Sequence, residues 1–366
     1  MTNKKIQIAF VLISVLLAPA VRARQSPNIS ARLSSPKSVG GQGASNEREA
    51  QLAKEVAGKG WIVYAARSSE NGTWDLFLSR PDGSHRRNIT NTPNFEEAGP
   101  RFSPDSAKLL YRRFPRDTVI NHDLWGFQGQ LIIADANASN PVVIGGDREY
   151  PWASWSPDGK QIACLTKRAI EIVDLTTKQV IRRLPRKGIY QQFFWSPDGK
   201  WFCGVANTAV MWTIVRMDVA TGDTNIIHKF QSCTPDWFPD SRNIIYASRP
   251  PGQPGGNGYG FTQLWAGDGE GKHPRLLYGE DGCHIYGGAL SPDGKYVLFT
   301  KCSEDGGGSE RSGAPICIMR LQDAPTIGGE SRDLRRVHPI TKDGPVLQLV
   351  DGWEPYWTYV EVGAEK

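Results

Sequence analysis

Twelve residues of this chain combine chemically useful side chains with a shared setting. Glu96, Glu97, Arg101, Glu149, Tyr150, Tyr190, Gln191, Asp236, His284, Tyr286, Asp351 and Glu354 fall in short connections that each run into a repeated turn or its C-terminal counterpart. Carboxylates, amides, phenols and a guanidinium gathered at one mouth suit a binding surface. A Glu or Asp brought against His284 would instead serve general acid–base catalysis. No local motif supports stronger chemistry. There is no Gly-x-Ser-x-Gly elbow for a serine nucleophile and no His-Glu-x-x-His for zinc. Acidic, Gly-rich runs at Asp268–Gly271 and Glu304–Glu310 lack the alternation of oxygen ligands that calcium needs. The Gly-rich run Pro250–Gly260 leads into no helix that could cradle a phosphate. No catalytic residue, metal or cofactor is therefore expected.

The elements that would position these residues are set by the repeat itself. "FSPDSAKLLY" begins at Phe102, "WSPDGKQIAC" at Trp155, "WSPDGKWFCG" at Trp195, "WFPDSRNIIY" at Trp237 and "LSPDGKYVLF" at Leu290. Spacings between the motif prolines are 53, 40, 42 and 53 residues, the period of a β-propeller blade. Pro presets φ for a turn, Asp follows easily, and Gly takes positive φ without strain. Ser106 and Ser241 stand where the other copies have Gly, so those turns should be strained or of another type. An apolar strand follows each turn, and the aromatic before it supplies area for packing between blades. A strand–turn–strand signature such as "WDLFLSRPDGSHRRNIT", from Trp74, completes each unit. The first unit, from Trp61, has no turn before it. The last stretch, Glu354–Val360, starts a repeat and stops. The expectation is an all-β, six-bladed β-propeller of four-stranded antiparallel blades, residues 59–362, its first blade closed by the C-terminal strand.

These aromatic-Ser-Pro-Asp-Gly-Lys repeats, with their "DLFLSRPDGSHRRNIT"-type segments, resemble those of TolB-like WD-type propellers. The resemblance covers about residues 60 to 362 and is specific for the repeat, not for one function; a complete ring with no catalytic constellation leads to the expectation of a protein or peptide partner, with envelope association as one setting. TolB carries an α/β domain ahead of its propeller. Residues 24–60 are too short for one, so the resemblance is to the propeller part only.

The remaining features describe how the chain is handled. Lys4 and Lys5, an apolar run from Ile6 to Ala18, and small residues up to Ala23 read as a signal peptide over residues 1–23. The run is shorter than a spanning helix needs, so the chain is expected to be exported, to the periplasm or the medium, with no transmembrane segment after cleavage. Residues 24–58 read as a flexible leader with a helical turn near Glu47–Val56, and residues 363–366 as a tail. The net charge of +5 falls to +2 once Lys4, Lys5 and Arg22 are removed, which gives no case for nucleic acid. Six cysteines in an exported chain allow 15 complete pairings. Cys302 with Cys317 is the first candidate disulfide, Cys233 with Cys283 the second. The functional expectation is a non-catalytic binding or scaffold module. The alternative is an enzyme with its site in the central funnel, a hydrolase or lyase on a saccharide or small metabolite.

Overall fold

Each Ser-Pro-Asp-Gly-Lys turn is a self-contained hydrogen-bonding unit. Ser156 Oγ donates to the Asp158 carboxylate at 2.6 Å, the Lys160 N–H donates to the same oxygen at 3.1 Å, and the Gln161 N–H donates to Ser156 Oγ at 3.0 Å. The same three bonds recur around Ser103, Ser196 and Ser291. The motif aspartates are thus turn formers. Gly159, Gly199 and Gly294 take φ of 68°, 77° and 67°. Ser106 and Ser241 take 58° and 57°, so the turn is kept and the strain accepted. Their hydroxyls supply the reason. Ser106 Oγ is hydrogen-bonded to Thr358 Oγ1 at 2.6 Å, and the Asp198 N–H donates to Ser241 Oγ at 2.9 Å. Both bonds join neighbouring sheets.

The computed structural model describes residues 41–119, 129–146, 148–207, 212–228, 232–249, 262–280, 283–303, 313–323 and 346–363. The expected signal peptide, the start of the leader, the glycine-rich run 250–260 and the acidic run 304–310 lie outside them. The chain opens with helix α1 (Gly41–Val56), then β1 (Trp61–Arg67), β2 (Trp74–Ser79) and β3 (Arg87–Asn88). A first four-stranded sheet follows, with β4 (Phe95–Phe102), β5 (Lys108–Pro115), β6 (Gln130–Asp135) and β7 (Val142–Ile144). The second has β8 (Ala153–Trp155), β9 (Gln161–Leu165), β10 (Ala169–Asp174) and β11 (Val180–Pro185). The third has β12 (Ile189–Trp195), β13 (Trp201–Asn207), β14 (Trp212–Asp218) and β15 (Thr224–His228). The fourth has β16 (Ser232–Trp237), β17 (Asn243–Ser248), β18 (Gln263–Asp268) and β19 (Arg275–Tyr278). Last come β20 (Cys283–Leu290), β21 (Tyr296–Ser303), β22 (Ala314–Arg320) and β23 (Leu347–Thr358).

This is an all-β propeller, but the blade count expected from sequence is corrected. Hydrogen bonding groups the strands into four four-stranded sheets and one seven-stranded sheet, ordered β20-β21-β22-β23-β1-β2-β3. The cause is the length of β23. Its first half pairs with β22 (Leu347 opposite Ile318, Gly352 opposite Ala314), and its second half pairs with β1 (Trp353 opposite Ala65, Thr358 opposite Trp61). One strand therefore fuses what the repeat pattern treats as separate units. The C-terminal strand closes this large sheet and does not complete a separate first blade.

The cores lie between adjacent sheets, and indoles cross from sheet to sheet. Trp155 Nε1 donates to the Arg101 carbonyl at 3.2 Å, and Trp237 Nε1 to the Phe194 carbonyl at 3.0 Å. Helix α1 also differs from expectation, because it starts within the supposed leader and is anchored. Leu52 and Val56, one helical turn apart, are fully buried beside Trp357 and Tyr296. Glu55 accepts hydrogen bonds from Tyr296 and Arg320, and the Arg320 bond holds its carboxyl below the usual range. In the last sheet Phe299 pairs with Cys317. Cys302 is three residues beyond Phe299, so it faces the opposite side from Cys317. The two are not bridged to each other, which corrects the first disulfide candidate.

Candidate binding site at the propeller axis

The strands that approach the axis share a defect. Pairing shifts register between Ala98 and Arg101 in β4, Gln191 and Phe194 in β12, Cys233 and Asp236 in β16, and Tyr286 and Ala289 in β20. The β1–β23 pairing shifts in the same way opposite Trp353–Tyr356. At each bulge one residue has positive φ: Gly99 at 66°, Gln192 at 40°, Thr234 at 49°, Gly287 at 69° and Glu354 at 51°. A β-branched residue such as Thr234 is costly there, by about 1–3 kcal/mol. Bulges re-aim the side chains that follow them. Two residues beyond each bulge stand Arg101, Phe194, Asp236, Ala289 and Tyr356. In β8 the matching position, three before the motif proline, is Ser154.

Arg101, Ser154, Phe194, Asp236 and Tyr356 line one cavity of about 250 Å³. Its rim carries Trp155, Trp195 and the motif prolines Pro104, Pro157 and Pro197. Ala289 lines a second void of about 20 Å³, room for one water, which shares Arg101 and Phe194 with the first. The larger cavity opens at the trailing ends of the axial strands, where the repeated turns lie. The sequence reading had pointed to the leading connections.

Arg101 is the centre of this arrangement. Its Nη1 donates to the carbonyls of Pro100 at 2.8 Å and Glu354 at 3.1 Å. Its guanidinium lies 5.1 Å from the Tyr356 ring centre, 5.3 Å from Phe194 and 5.8 Å from Trp152. Its buried Nε has no hydrogen-bond partner among the described residues. Burial pushes the Asp236 carboxyl up to about 6, with the Arg101 charge pulling the other way. Deeper in, Gln192 is a hub. Its Nε2 donates to Tyr286 Oη at 2.6 Å and its Oε1 accepts from the Thr234 N–H at 3.0 Å.

The other residues singled out from sequence divide into groups. Tyr286 and Glu354 join Arg101 around the smaller void. Glu354 is also held by Arg112 at 3.3 Å, both side chains nearly fully buried. His284 is buried with its ring stacked on Tyr286 at 6.1 Å. Gln191 is buried, and Tyr190 is half-buried against the core. The remaining carboxylates are turned to structure or to solvent. Glu96 accepts from the Trp74 N–H at 2.6 Å and the Asp117 N–H at 3.1 Å, clamping β4 to β2. Glu97 takes Arg113 at 2.8 Å, and burial lifts its carboxyl. Tyr150 donates to Glu171 at 3.1 Å, and burial pushes its phenol up to about 12. Glu149 and Asp351 are exposed. Sequence reasoning missed Gln192, Phe194 and Tyr356 and assigned Trp155 and Trp195 to packing alone. The place three residues before each motif proline was the available signal.

Among the described residues, no group of His, Cys, Asp or Glu could hold a metal ion, and no helix is long and apolar enough to cross a membrane. No protein-family model and no curated protein matches the sequence. Solved structures do match the fold. TolB from Acinetobacter baumannii superposes with a TM-score of 0.60 at 19% identity, over 89% of this chain and 74% of that one. A putative TolB from Agrobacterium tumefaciens gives 0.52 at 20% identity, over 72% of this chain and 86% of that one. A nidogen/laminin complex gives 0.51 at 10% identity, over 72% and 90%. Likeness at these identities is likeness of fold: a TolB-type propeller.

Proposed function

We propose that this TolB-like propeller is an exported, non-catalytic binding module that receives a protein or peptide partner at the trailing mouth of its axis. One observation carries the reading. The bulges of four axial strands aim unlike side chains, Arg101, Phe194, Asp236 and Tyr356, into a single aromatic-walled cavity, at the cost of strained backbone at Gln192, Thr234 and Glu354. Strain kept at several equivalent positions points to a functional constraint. Buried carboxylates that an acid–base mechanism would use, Glu96, Glu97 and Glu354, are instead held by backbone amides or arginines. The TolB fold likeness supports a scaffold or binding role. The apolar N-terminal stretch supports export, to the periplasm or the medium.

The test is affinity capture from a native envelope extract with the mature protein and with an Arg101→Gln/Asp236→Asn double variant. The variant should lose the partner that the wild type retains, with near-ultraviolet circular dichroism unchanged. Equal capture by both proteins refutes the axial site. A second reading, an enzyme in the funnel, draws on the Asp236 carboxyl at about 6. It predicts turnover of a saccharide or small metabolite that Asp236→Asn abolishes.

A further inference from the structure

The chemistry of the cavity narrows what can occupy it. Its serine hydroxyls are already committed. Ser156 and Ser196 donate to Asp158 and Asp198 at 2.6 Å. Ser154 accepts from the Trp195 N–H at 2.9 Å and donates to the Trp155 carbonyl at 3.4 Å. A polyhydroxylated ligand would find few free partners. The walls are flat and apolar, made by indole, phenyl and pyrrolidine rings. A ligand cation would meet the Arg101 guanidinium, which already occupies the ring cluster. Among the described residues, Arg101 is the one cation in the lining. Hydrogen bonds between charged partners are stronger than neutral ones, and a carboxylate matches the planar guanidinium. The volume of about 250 Å³ is slightly below the usual range for a small-molecule site, so the group that enters is small.

We propose that this cavity binds a carboxylate carried on a flat or cyclic apolar group, the carboxylate accepting from Arg101 and the ring lying between Trp155 and Trp195. The proposal rests on the axial cavity being a binding site, and not on the partner being a protein. Two sources share this chemistry: a free organic acid and the last residue of a polypeptide. Asp236 gives the site a pH response. The ionisable groups that act on or with it are Arg101, Tyr356 and Cys203. Burial pushes the Tyr356 phenol up to about 12 and the Cys203 thiol well above its usual value, so both stay neutral. An ionised Asp236 repels the incoming carboxylate, whereas a protonated one donates to it. Binding therefore strengthens as pH falls through about 6.

The experiment is calorimetric titration of the mature protein at pH 5 and pH 7.5. The probes are phenylacetate, neutral phenylacetamide, and a Gly-Gly-Phe peptide with a free or an amidated C-terminus. At least one carboxylate should bind roughly tenfold or more tightly than its amide, and more tightly at pH 5. Binding of phenylacetate alone assigns the site to free acids. A stronger peptide carboxylate assigns it to chain ends. Arg101→Lys, which keeps the charge but loses the planar guanidinium, should weaken the carboxylate and not the amide. Amides that bind as well as acids, or no binding by any probe, overturns the proposal. If no probe binds while partner capture still depends on Arg101 and Asp236, the binding-module reading stands and only the carboxylate assignment falls.

Discussion

Replacing Trp357 by Ala tests closure through β23 at its most loaded contact. The indole is 2% exposed. It lies 5.6 Å from the Tyr296 ring and 5.8 Å from Tyr359, and its Nε1 donates to the Lys59 carbonyl at 2.6 Å. Removing a buried Trp costs about 3–5 kcal/mol. Leaving the Lys59 carbonyl without its donor adds about 1 kcal/mol. The sum, about 4–6 kcal/mol, rivals the whole stability of a marginal domain. Urea unfolding followed by far-ultraviolet circular dichroism reads the loss as a lower midpoint. Hydrogen exchange should place the first opening in β1, β23 and α1, which share the Trp357 cluster. Trp212→Ala is the control, because that indole is 37% exposed, and it should cost at most about 0.5 kcal/mol. A Trp357→Ala loss below about 1 kcal/mol, or opening that begins elsewhere, would contradict closure by this strand.

Three further perturbations follow from named contacts. Ser106→Ala keeps the positive φ and loses the bond to Thr358. It should lower stability by about 1–2 kcal/mol, while Ser106→Gly, which also relieves the φ, should be near neutral in thermal melts. Asp75 is fully buried and accepts from Asn88 at 2.7 Å, the Thr92 N–H at 3.0 Å and Asn71 at 3.2 Å. Asp75→Ala strands these donors and should cost about 3 kcal/mol in urea titration; a loss under about 1 kcal/mol would mean that water replaces the carboxylate. Burial holds the His228 imidazole down to about 4, against an ordinary value of 6.5. The unfolded chain then takes up the proton first, so this group's contribution is complete above pH 6.5 and is lost as pH falls toward 4. The displacement is worth about 3 kcal/mol at most; urea midpoints across that window should fall less in His228→Gln, and equal slopes would exclude His228 as the cause.

How much of this was readable beforehand depends on the level. The turns were fully legible, because Pro, Asp and Gly each do a local backbone job that the sequence states outright. Even the Ser106 and Ser241 exceptions were visible as places of strain, though not their cross-sheet hydrogen bonds. Sheet grouping was less legible. Glu354–Val360 reads as a partial repeat, but nothing local says that Leu347–Thr358 runs unbroken and pairs on both sides. The site was half legible. Arg101, Asp236, Tyr286 and Glu354 were named from their setting. Gln192, Phe194 and Tyr356 were missed because a bulge is a property of pairing between strands, and the bulge decides which side chain reaches the axis. Glu96 and Glu97 show the converse, since their reactive type gave no sign that Trp74 and Arg113 would occupy them.

Site-specific photo-crosslinking locates the partner on the propeller surface. A photoreactive residue is placed singly at Lys160 and Lys200, exposed positions just beyond the turns at the trailing mouth, and at Ile181 and Ile226, exposed on the outer strands β11 and β15. After exposure of each variant to envelope extract, crosslinked partners are identified by mass spectrometry. An axial binding site predicts one partner captured from Lys160 and Lys200 and absent from Ile181 and Ile226. Capture of that partner only from the outer strands would contradict an axial binding site.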